Sequence, residues 1–351
     1  MKNKFRHVDQ AFKNLKRYEQ EIVIDTYDTL LESNKALIKE TILLLGSNEI
    51  HHLIKYHYKI ILNSFFFNDI KLLKTYHEWL YRVYYYKQVD LDFFYYLNEQ
   101  INYIANQYIN KTIAIRIDEY FQTILQYHHT LKSSPFYKRV LQSHHDEAVK
   151  YAKLLMAAET DKAYQLAQSK SPQLEEFIYF YNEIISNAMK YIGYGWEIGQ
   201  ISVAKEHIAS QTLQDIIPKL LENYPEQPAN QQHLLFCSAP NELHGLGSNV
   251  AAKTFKKLGY RVTNLGKKLP AKEIFDTVIE LQPDILFLSA TLPGSMLDVA
   301  YIIDETNHHK DKISKDMKIG IAGSAFENIS LPATTLHADF YMDKLKIDFI
   351  A

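Results

Sequence analysis

The stretch that decides the fold is His233-Leu-Leu-Phe-Cys-Ser-Ala-Pro-Asn-Glu-Leu-His-Gly-Leu-Gly247, which is followed by Ser248-Asn-Val-Ala-Ala-Lys-Thr-Phe-Lys-Lys257. Its apolar beginning predicts a buried β-strand, and its continuation has the spacing of an amphipathic helix. His244 therefore lies on a glycine-bounded loop at the carboxyl end of a first strand. In open parallel sheets such loops diverge into a crevice where ligands bind. We expect a binding site on this loop.

The same alternation continues to the end of the chain. Strand-like apolar runs fall at 234–237, 261–265, 285–289, 319–322 and 340–342, and helical ones at 248–258, 271–281 and 295–307. Strands that alternate with helices predict βαβ units and a doubly wound parallel sheet of the Rossmann or flavodoxin-like kind. We place this α/β domain at residues 229–351.

Residues 1–134 differ in composition from the rest of the chain. They contain one glycine, Gly46, no proline, and 15 of the 26 tyrosines. So long a stretch without helix breakers predicts an all-α domain. The expected helices lie at about 8–33, 35–45, 48–64, 68–86 and 90–131, the last of them broken.

Aromatic clusters in this tyrosine-rich domain occur at 65–67, 84–86 and 93–96. They line a core, a dimer interface or a pocket for a second planar ligand, since aromatic rings serve all three purposes. Four histidines accompany them, namely His51, His52, His57 and His77. Histidines among aromatic rings are more often hydrogen-bonded groups than ligands of a metal or haem.

A second helical region separates these two domains. The segment Lys132-Ser-Ser-Pro135 predicts a domain boundary. The segment Tyr224-Pro-Glu-Gln-Pro-Ala-Asn230 predicts a linker, because its two prolines stop a helix. Helices are expected at 136–156, 159–168, 172–194 and 203–223, with Pro172 at the first helical position. Four short helices joined by short connections predict a four-helix bundle, which we place at 135–228.

The bulk properties limit the partners and the compartment. A net charge of -2 and a pI near 6.7 give no basic footprint for nucleic acid or for an anionic membrane. The single Cys237 has no partner for an internal disulfide, which fits a reducing cytoplasm. The amino terminus has no apolar run typical of a signal peptide, and no uncharged run approaches the ~20 residues of a membrane helix. We expect a cytoplasmic protein.

Three motifs of the α/β region together resemble a known family. Glu242-x-His244-x-x-Gly247, Ser289-x-Thr291 and Gly320-Ile-Ala-Gly323 are similar to the pattern Asp-x-His-x-x-Gly, Ser-x-Leu, Gly-Gly. That pattern marks the cobalamin-binding domain of methionine synthase, corrinoid methyl carriers and cobalamin-dependent regulators. Glu242, Thr291 and Ala322 depart from it. Glu242 keeps a carboxylate, whereas Ala322 adds a methyl group where backbone and cofactor approach.

The resemblance implies a cobalamin site with a role for each residue. His244 is the lower cobalt ligand, and Glu242 accepts its other N–H and fixes the tautomer, as carboxylates beside metal-bound histidines do. Gly245 and Gly247 leave room for the displaced nucleotide tail, and Ser289 hydrogen-bonds the buried base. The complete implied set is Glu242, His244, Gly245, Leu246, Gly247, Ser289, Thr291, Ala322 and Gly323.

The helical bundle carries a second motif. Trp196, nine intervening residues and Glu206-His207 resemble the signature of light-responsive adenosylcobalamin-binding regulators, whose four-helix cap covers the upper face of the corrin. On one helix the step from Trp196 to His207 spans about 16 Å. A helix that ends at Gly199 and another capped by Ser202 bring these residues together. The resemblance implies that Trp196 packs on the adenosyl group, Glu206 hydrogen-bonds it, and His207 takes the upper cobalt position after photolysis.

The expected function is therefore that of an adenosylcobalamin photoreceptor that is not an enzyme, with a helical domain, a four-helix cap and a Rossmann-like domain. The regulators of this signature carry a DNA-binding domain first. Residues 1–134 show no helix-turn-helix pattern with basic recognition residues, so we expect a homo-oligomer or a partner protein there instead of direct nucleic-acid binding. The alternatives are a corrinoid methyl carrier and a two-chromophore sensor with a bilin or haem in residues 1–134.

Overall fold

A computed structural model describes residues 10–134, 146–240, 242–309, 311–313, 316–327 and 336–346. The chain divides into two compact units. Unit 1 consists of Met1–Val140 and Glu197–Gly199, and unit 2 of Leu141–Trp196 and Gln200–Ala351. Asn241, Pro135 and the beginning of the helix predicted at 136–156 lie outside the described residues. None of the described helices combines the length and apolar character needed to cross a membrane.

Unit 1 is helical, as predicted. Its helices are α1 (Gln10–Arg17), α2 (Glu19–Leu31), α3 (Ala36–Leu45), α4 (Ser47–Phe67), α5 (Ile70–Tyr86), α6 (Asp92–Tyr108) and α7 (Lys111–Ser133). The helix predicted at 8–33 is two helices that meet at Tyr18, and the one at 90–131 breaks before Lys111. Asn110 begins α7 because its side chain accepts the Ile113 N–H at 3.1 Å.

The aromatic clusters of unit 1 contribute mainly to its core. Phe65, Phe93 and Phe94 are fully buried, and Tyr81 packs against Phe94 with ring centroids 5.6 Å apart. Burial of such large rings is a major source of stability for a helical core. The core interpretation is therefore confirmed for these residues, whereas Tyr85 is exposed.

The bundle of unit 2 has the predicted helices, with one interruption. They are α8 (Asp146–Met156), α9 (Thr160–Lys170), α10 (Leu174–Phe180), a π-helical turn (Tyr181–Ile185), α11 (Ser186–Glu197) and α12 (Val203–Glu222). The prediction for Pro172 was wrong, because α10 begins two residues later at Leu174. Ser202 does cap α12, since its hydroxyl accepts the Lys205 N–H at 3.3 Å.

The sheet of unit 2 is parallel and doubly wound. In chain order its elements are β1 (His233–Ser238), α13 (Leu246–Lys257), β2 (Arg261–Asn264), α14 (Ala271–Leu281), β3 (Ile285–Ser289), α15 (Met296–His308), β4 (Lys318–Ala322) and β5 (Phe340–Met342). The strand order is β2-β1-β3-β4-β5, with every pair parallel. This is the flavodoxin-like order, in which the winding direction reverses between β1 and β3. The predicted fold class is confirmed.

The bundle and the sheet share one hydrophobic core within unit 2. Phe177 of α10, Leu213 of α12 and Phe255 of α13 are all fully buried in it. Phe236 on β1 stacks on Phe287 on β3 with centroids 4.5 Å apart. The bundle predicted at 135–228 and the α/β domain predicted at 229–351 thus lie in the same compact unit.

Candidate functional site

The site lies where the sheet changes its winding direction. Ser238 ends β1 and pairs with Ser289 at the end of β3, and the Ala239 N–H donates to the Ser289 carbonyl at 2.8 Å. Beyond this bond the segments that follow β1 and β3 lead away in opposite directions. Their loops therefore border a crevice of the kind that binds ligands in this topology. His244 follows β1, and Thr291 follows β3.

A buried carboxylate joins these two loops. The side chain of Glu242 is fully buried. Its Oε1 accepts a hydrogen bond from the ring Nδ1 of His244 at 2.6 Å and another from the His244 backbone N–H at 3.0 Å. Its Oε2 accepts the backbone N–H groups of Thr291 and Leu292 at 2.9 and 3.1 Å. Both carboxylate oxygens are therefore satisfied by donors from the two sides of the crevice.

These hydrogen bonds keep the carboxylate charged. Burial by itself raises the pKa of a carboxyl group, because it disfavours the charged form. Here the His244 ring, the His244 N–H and the Leu292 and Thr291 N–H groups outweigh burial and lower the pKa of Glu242 to about 2. At neutral pH Glu242 is an anion that accepts the His244 Nδ1 proton.

The tautomer of His244 follows from that contact. In the neutral ring, the proton donated to Glu242 is on Nδ1, so Nε2 has the lone pair. Among the described residues no protein group is hydrogen-bonded to Nε2, and 51% of the side chain is exposed. A neutral imidazole with one nitrogen fixed by a carboxylate and the other directed to open space is a typical metal ligand.

The residues predicted on the β3 and β4 loops lie close to this pair. Ser289 donates to the Ser238 hydroxyl at 3.3 Å, and Ala322 pairs with Ser289 across the strands. Gly323 has φ +105°, and a Cβ there would lie 2.2 Å from the Ala290 carbonyl oxygen. The local backbone therefore requires glycine at position 323. Contact of Ser289 or Thr291 with a cofactor stays a prediction.

The start of α13 lies directly after His244 in the chain. Gly245 precedes the helix, Leu246 is its first residue, and Gly247 is exposed. A Cβ at Gly245 would lie 3.4 Å from the side chain of Lys267, whose Nζ donates to the Leu243 carbonyl at 2.8 Å. Lys267 therefore holds the outer side of the histidine loop.

The predicted cap residues occupy α11 and α12. Trp196 is partly buried near the end of α11, and Glu206 and His207 lie in the first turns of α12. His207 is 75% exposed, with Nε2 3.6 Å from a Glu206 oxygen. Between α11 and α12 the chain turns at Gly199, where φ is +68°, as predicted. Among the described residues no hydrogen bond or ring contact joins Trp196 to Glu206 or His207.

Three neighbouring residues were missed by the sequence analysis. Tyr181 lies on the π-turn, and its hydroxyl lies 3.6 Å from where a Cβ of Gly247 would be. Ser248 has a buried hydroxyl without a hydrogen-bond partner in the described parts of the chain. Lys267 is hydrogen-bonded to the loop that contains His244. Only Ser248 was open to prediction, because it directly follows the motif glycine.

Comparisons with known proteins agree with this geometry. Residues 233–341 match a family model described as a B12 binding domain, and residues 148–220 match a second B12 binding domain model. The chain is 28% identical over 145 residues to the HTH-type transcriptional repressor CarH of Myxococcus xanthus, covering 41% of this chain and 47% of that protein. It therefore spans about half the length of that relative.

Corrinoid proteins are also similar to this chain. Dimethylamine corrinoid protein 1 of Methanosarcina acetivorans is 22% identical over 161 residues, which are 44% of this chain and 70% of that protein. The structure of the Methanosarcina barkeri monomethylamine corrinoid protein matches with a TM-score of 0.47 and 16% identity, covering 56% of this chain and 92% of the other. With B12-binding matches on both bundle and sheet, the chain belongs to the cobalamin-binding family, close to the CarH and CarA repressors.

Proposed function

We propose that this protein is a light sensor that uses adenosylcobalamin and signals by a change of conformation or assembly. The observation that carries the proposal is that both motif positions of unit 2, one in each B12 binding match, hold an exposed imidazole beside a carboxylate. His244 lies on the β1 loop with Glu242, and His207 lies on α12 with Glu206. One suits the lower side of a corrin and the other the upper side.

The residues present fit cobalamin at the lower side. His244 would offer Nε2 to cobalt while Glu242 holds Nδ1, and the buried Ser248 hydroxyl is a polar group that no described residue satisfies. When bound, adenosylcobalamin supplies a cobalt–carbon bond that visible light cleaves, which is chemistry of the cofactor rather than of the protein. The protein binds and orients, so in this proposal it is a signalling protein and not an enzyme.

The cap residues give the proposal its light-dependent part. Trp196 offers an aromatic surface to the adenosyl group, and Glu206 offers a hydrogen-bond acceptor. The His207 ring is exposed, so it would be available to hold the metal of the cofactor from the cap. A ligand that binds only one of two states shifts the population toward that state.

We assign the output to unit 1, through a partner protein or a second copy of the chain. Four exposed apolar side chains on α2 and α3 support an interaction surface there, namely Ile24, Leu31, Leu43 and Leu44. Exposed apolar groups of this size are typical of protein–protein contacts when they are contiguous.

A corrinoid methyl carrier is the second candidate, favoured by the match that spans 70% of the dimethylamine corrinoid protein. A carrier must present the upper face of its corrin to partner enzymes. An exposed histidine that binds cobalt from above would compete with that transfer. Binding of methylcobalamin in preference to adenosylcobalamin, with methyl transfer to a partner, would favour the carrier.

The test uses the full chain loaded with adenosylcobalamin in the dark. Green light is expected to change the visible spectrum and the elution volume in size-exclusion chromatography, because both report loss of the adenosyl group and its structural result. In His207→Ala the spectrum of the illuminated product should differ from that of the wild type, because a different group occupies the upper cobalt position.

The matched control is His308→Ala, which removes another exposed helical histidine at the end of α15. Its illuminated spectrum should equal that of the wild type. A wild-type spectrum that does not respond to light contradicts the proposal, even if cobalamin binds.

A further inference from the structure

Unit 1 contains one short segment from outside residues 1–140. This segment is Glu197–Gly199, which follows Trp196 directly in the chain, whereas Trp196 itself belongs to unit 2. Ile198 in the segment is 1% exposed. The chain turns at Gly199, where φ is +68°. The segment is therefore packed as part of the helical domain, although it begins one residue after a predicted cap residue.

One face of α5 holds this segment. Trp79 donates its indole N–H to Glu197 Oε1 at 3.0 Å, and Arg82 donates its Nε–H to Glu197 Oε2 at 2.9 Å. A Cβ on Gly199 would lie 3.5 Å from the Cβ of Tyr86. Residues 79, 82 and 86 are three and four positions apart, so they lie along the same side of the helix. Both oxygens of the Glu197 carboxylate are thus bound to that side of α5.

The ion pair of Glu197 and Arg82 is largely buried, with 20% and 21% of the two side chains exposed. Burial raises the pKa of Glu197, and it outweighs the opposite effects of the Arg82 charge and of the hydrogen bonds from Arg82 and Trp79. A buried ion pair of this kind adds little net stability, because the cost of desolvation offsets the attraction. Its best-supported use is to favour one arrangement over another. The contact therefore suits a segment that is held in one state and released in another.

Trp79 extends this contact into the interior of unit 1. Its ring stacks on that of Tyr76 with centroids 5.8 Å apart and an interplanar angle of 24°. Tyr76 is buried, and its ring centroid lies 5.5 Å from that of His57 on α4. Protein interiors are close-packed, so a displaced ring moves its neighbours. A shift of Glu197 would therefore displace groups on α5 and then on α4.

We propose that the α5 face formed by Trp79, Arg82 and Tyr86 receives the light signal through Glu197. The inference rests on the proposed function, in which Trp196 packs on the adenosyl group only in the dark. Because Trp196 and Glu197 are joined by a peptide bond, a displacement of Trp196 changes the position of the Glu197 carboxylate relative to its two donors. The dark and illuminated states would then differ in how firmly α5 holds residues 197–199. A difference of this kind is what couples one site to another.

The test is hydrogen exchange of the full chain loaded with adenosylcobalamin, measured by mass spectrometry on peptides of α5 in the dark and after green light. In the wild type, light should speed exchange of these peptides roughly twofold to tenfold, which corresponds to the loss of one hydrogen bond. In Glu197→Ala exchange should be fast already in the dark and should not change with light. Glu197→Gln keeps an oxygen for Trp79 but loses the charge, so it should lie between the two. The visible spectrum of every sample should still respond to light.

The control is Lys87→Gln, which removes an ion pair with Glu49 (2.5 Å) beside the end of α5 and leaves the Glu197 contacts in place. Light should change the exchange of α5 in this variant as it does in the wild type. The inference is overturned if the wild-type spectrum responds to light while exchange of α5 does not, or if light changes α5 equally in Glu197→Ala. If the spectrum itself does not respond, the proposed function fails, and this inference fails with it.

Discussion

Two histidines of unit 1, His57 and His77, and His244 of unit 2 are placed in opposite ways. His57 and His77 in unit 1 are buried, with rings 5.1 Å apart. The side chain of Asn98 lies between them and bonds to His57 Nε2 at 3.0 Å and to His77 Nε2 at 3.1 Å. His244 in unit 2 has one nitrogen held by a carboxylate and the other exposed.

The difference shows what makes a histidine available to a metal. The His57 Nδ1 atom has no hydrogen-bond partner among the residues that the structure describes, yet it is buried, so an entering ligand cannot reach it. Burial also lowers the pKa of His57 to about 4 and that of His77 to about 3. Among the described residues no group of three or more metal-binding side chains occurs. His57 and His77 therefore serve the core of unit 1.

The largest expected effect is acid destabilisation of unit 1. Because folding depresses the pKa of His57 and His77, their contribution to stability is complete above the ordinary pKa of about 6.5 and is lost as pH falls toward the folded values. At pH 5 the loss is roughly 2 kcal/mol for each histidine, at about 1.4 kcal/mol per pKa unit.

Fluorescence of Trp79 measures this loss in a Trp196→Phe background, since the chain has two tryptophans. The urea midpoint of unit 1 should be clearly lower at pH 5 than at pH 7. Replacement of one titrating ring, in His77→Gln, should remove about half of the pH dependence. An equal midpoint at both pH values would show that the two histidines are not neutral core groups.

The next effect is on cofactor affinity. Removing a group that orients a metal ligand costs about 10-fold to 100-fold, so removing the ligand in His244→Ala should cost at least about 100-fold in affinity for adenosylcobalamin. Equilibrium dialysis in the dark measures it. His308→Ala is the control and should bind as the wild type does. Unchanged affinity in His244→Ala would break the distinction between buried and available histidines.

The smallest effect is expected for Gly247→Ala, which changes the space beside the cofactor but removes no ligand. In Gly247→Ala the added methyl group meets only the Tyr181 hydroxyl at 3.6 Å, so the free energy of unfolding should change by less than about 1 kcal/mol. Cobalamin affinity should nevertheless fall, by about 1 kcal/mol, because the methyl occupies ligand space. Thermal denaturation and titration of the same sample give both values. Equal affinity would show that Gly247 does not border the cofactor.

Much of unit 2 could be predicted from sequence because its signals are local. Apolar runs such as Ile285–Ser289 predicted strands, and a carboxylate two residues before His244 predicted the Nδ1 contact. The Thr291 and Leu292 N–H groups that complete the Glu242 site have no sequence signal, since every residue except proline has a backbone N–H. The roles of Ser289 and the cap residues stay predictions.

The parts that sequence did not predict depend on one-residue changes of helical phase. The π-turn adds one residue within an otherwise regular pattern, so Tyr181 could not be directed at Gly247 from spacing alone. The break between α1 and α2 at Tyr18 also lacks glycine or proline. Such features are set by tertiary packing, which a single chain's periodicity does not contain.

Glu242 makes the two sides of the sheet crevice thermodynamically linked. The Glu242 carboxylate accepts a hydrogen bond from the His244 ring, and it also accepts hydrogen bonds from the backbone N–H groups of Thr291 and Leu292, which lead toward α15. A cation held at Nε2 would polarise the imidazole, strengthen its Nδ1 contact with Glu242 and so weaken the bonds that this carboxylate accepts from Thr291 and Leu292. Conversely, a displacement of the loop after β3 would reach the His244 ring through the same carboxylate. Reciprocity of this kind needs no moving strand, only one shared anion.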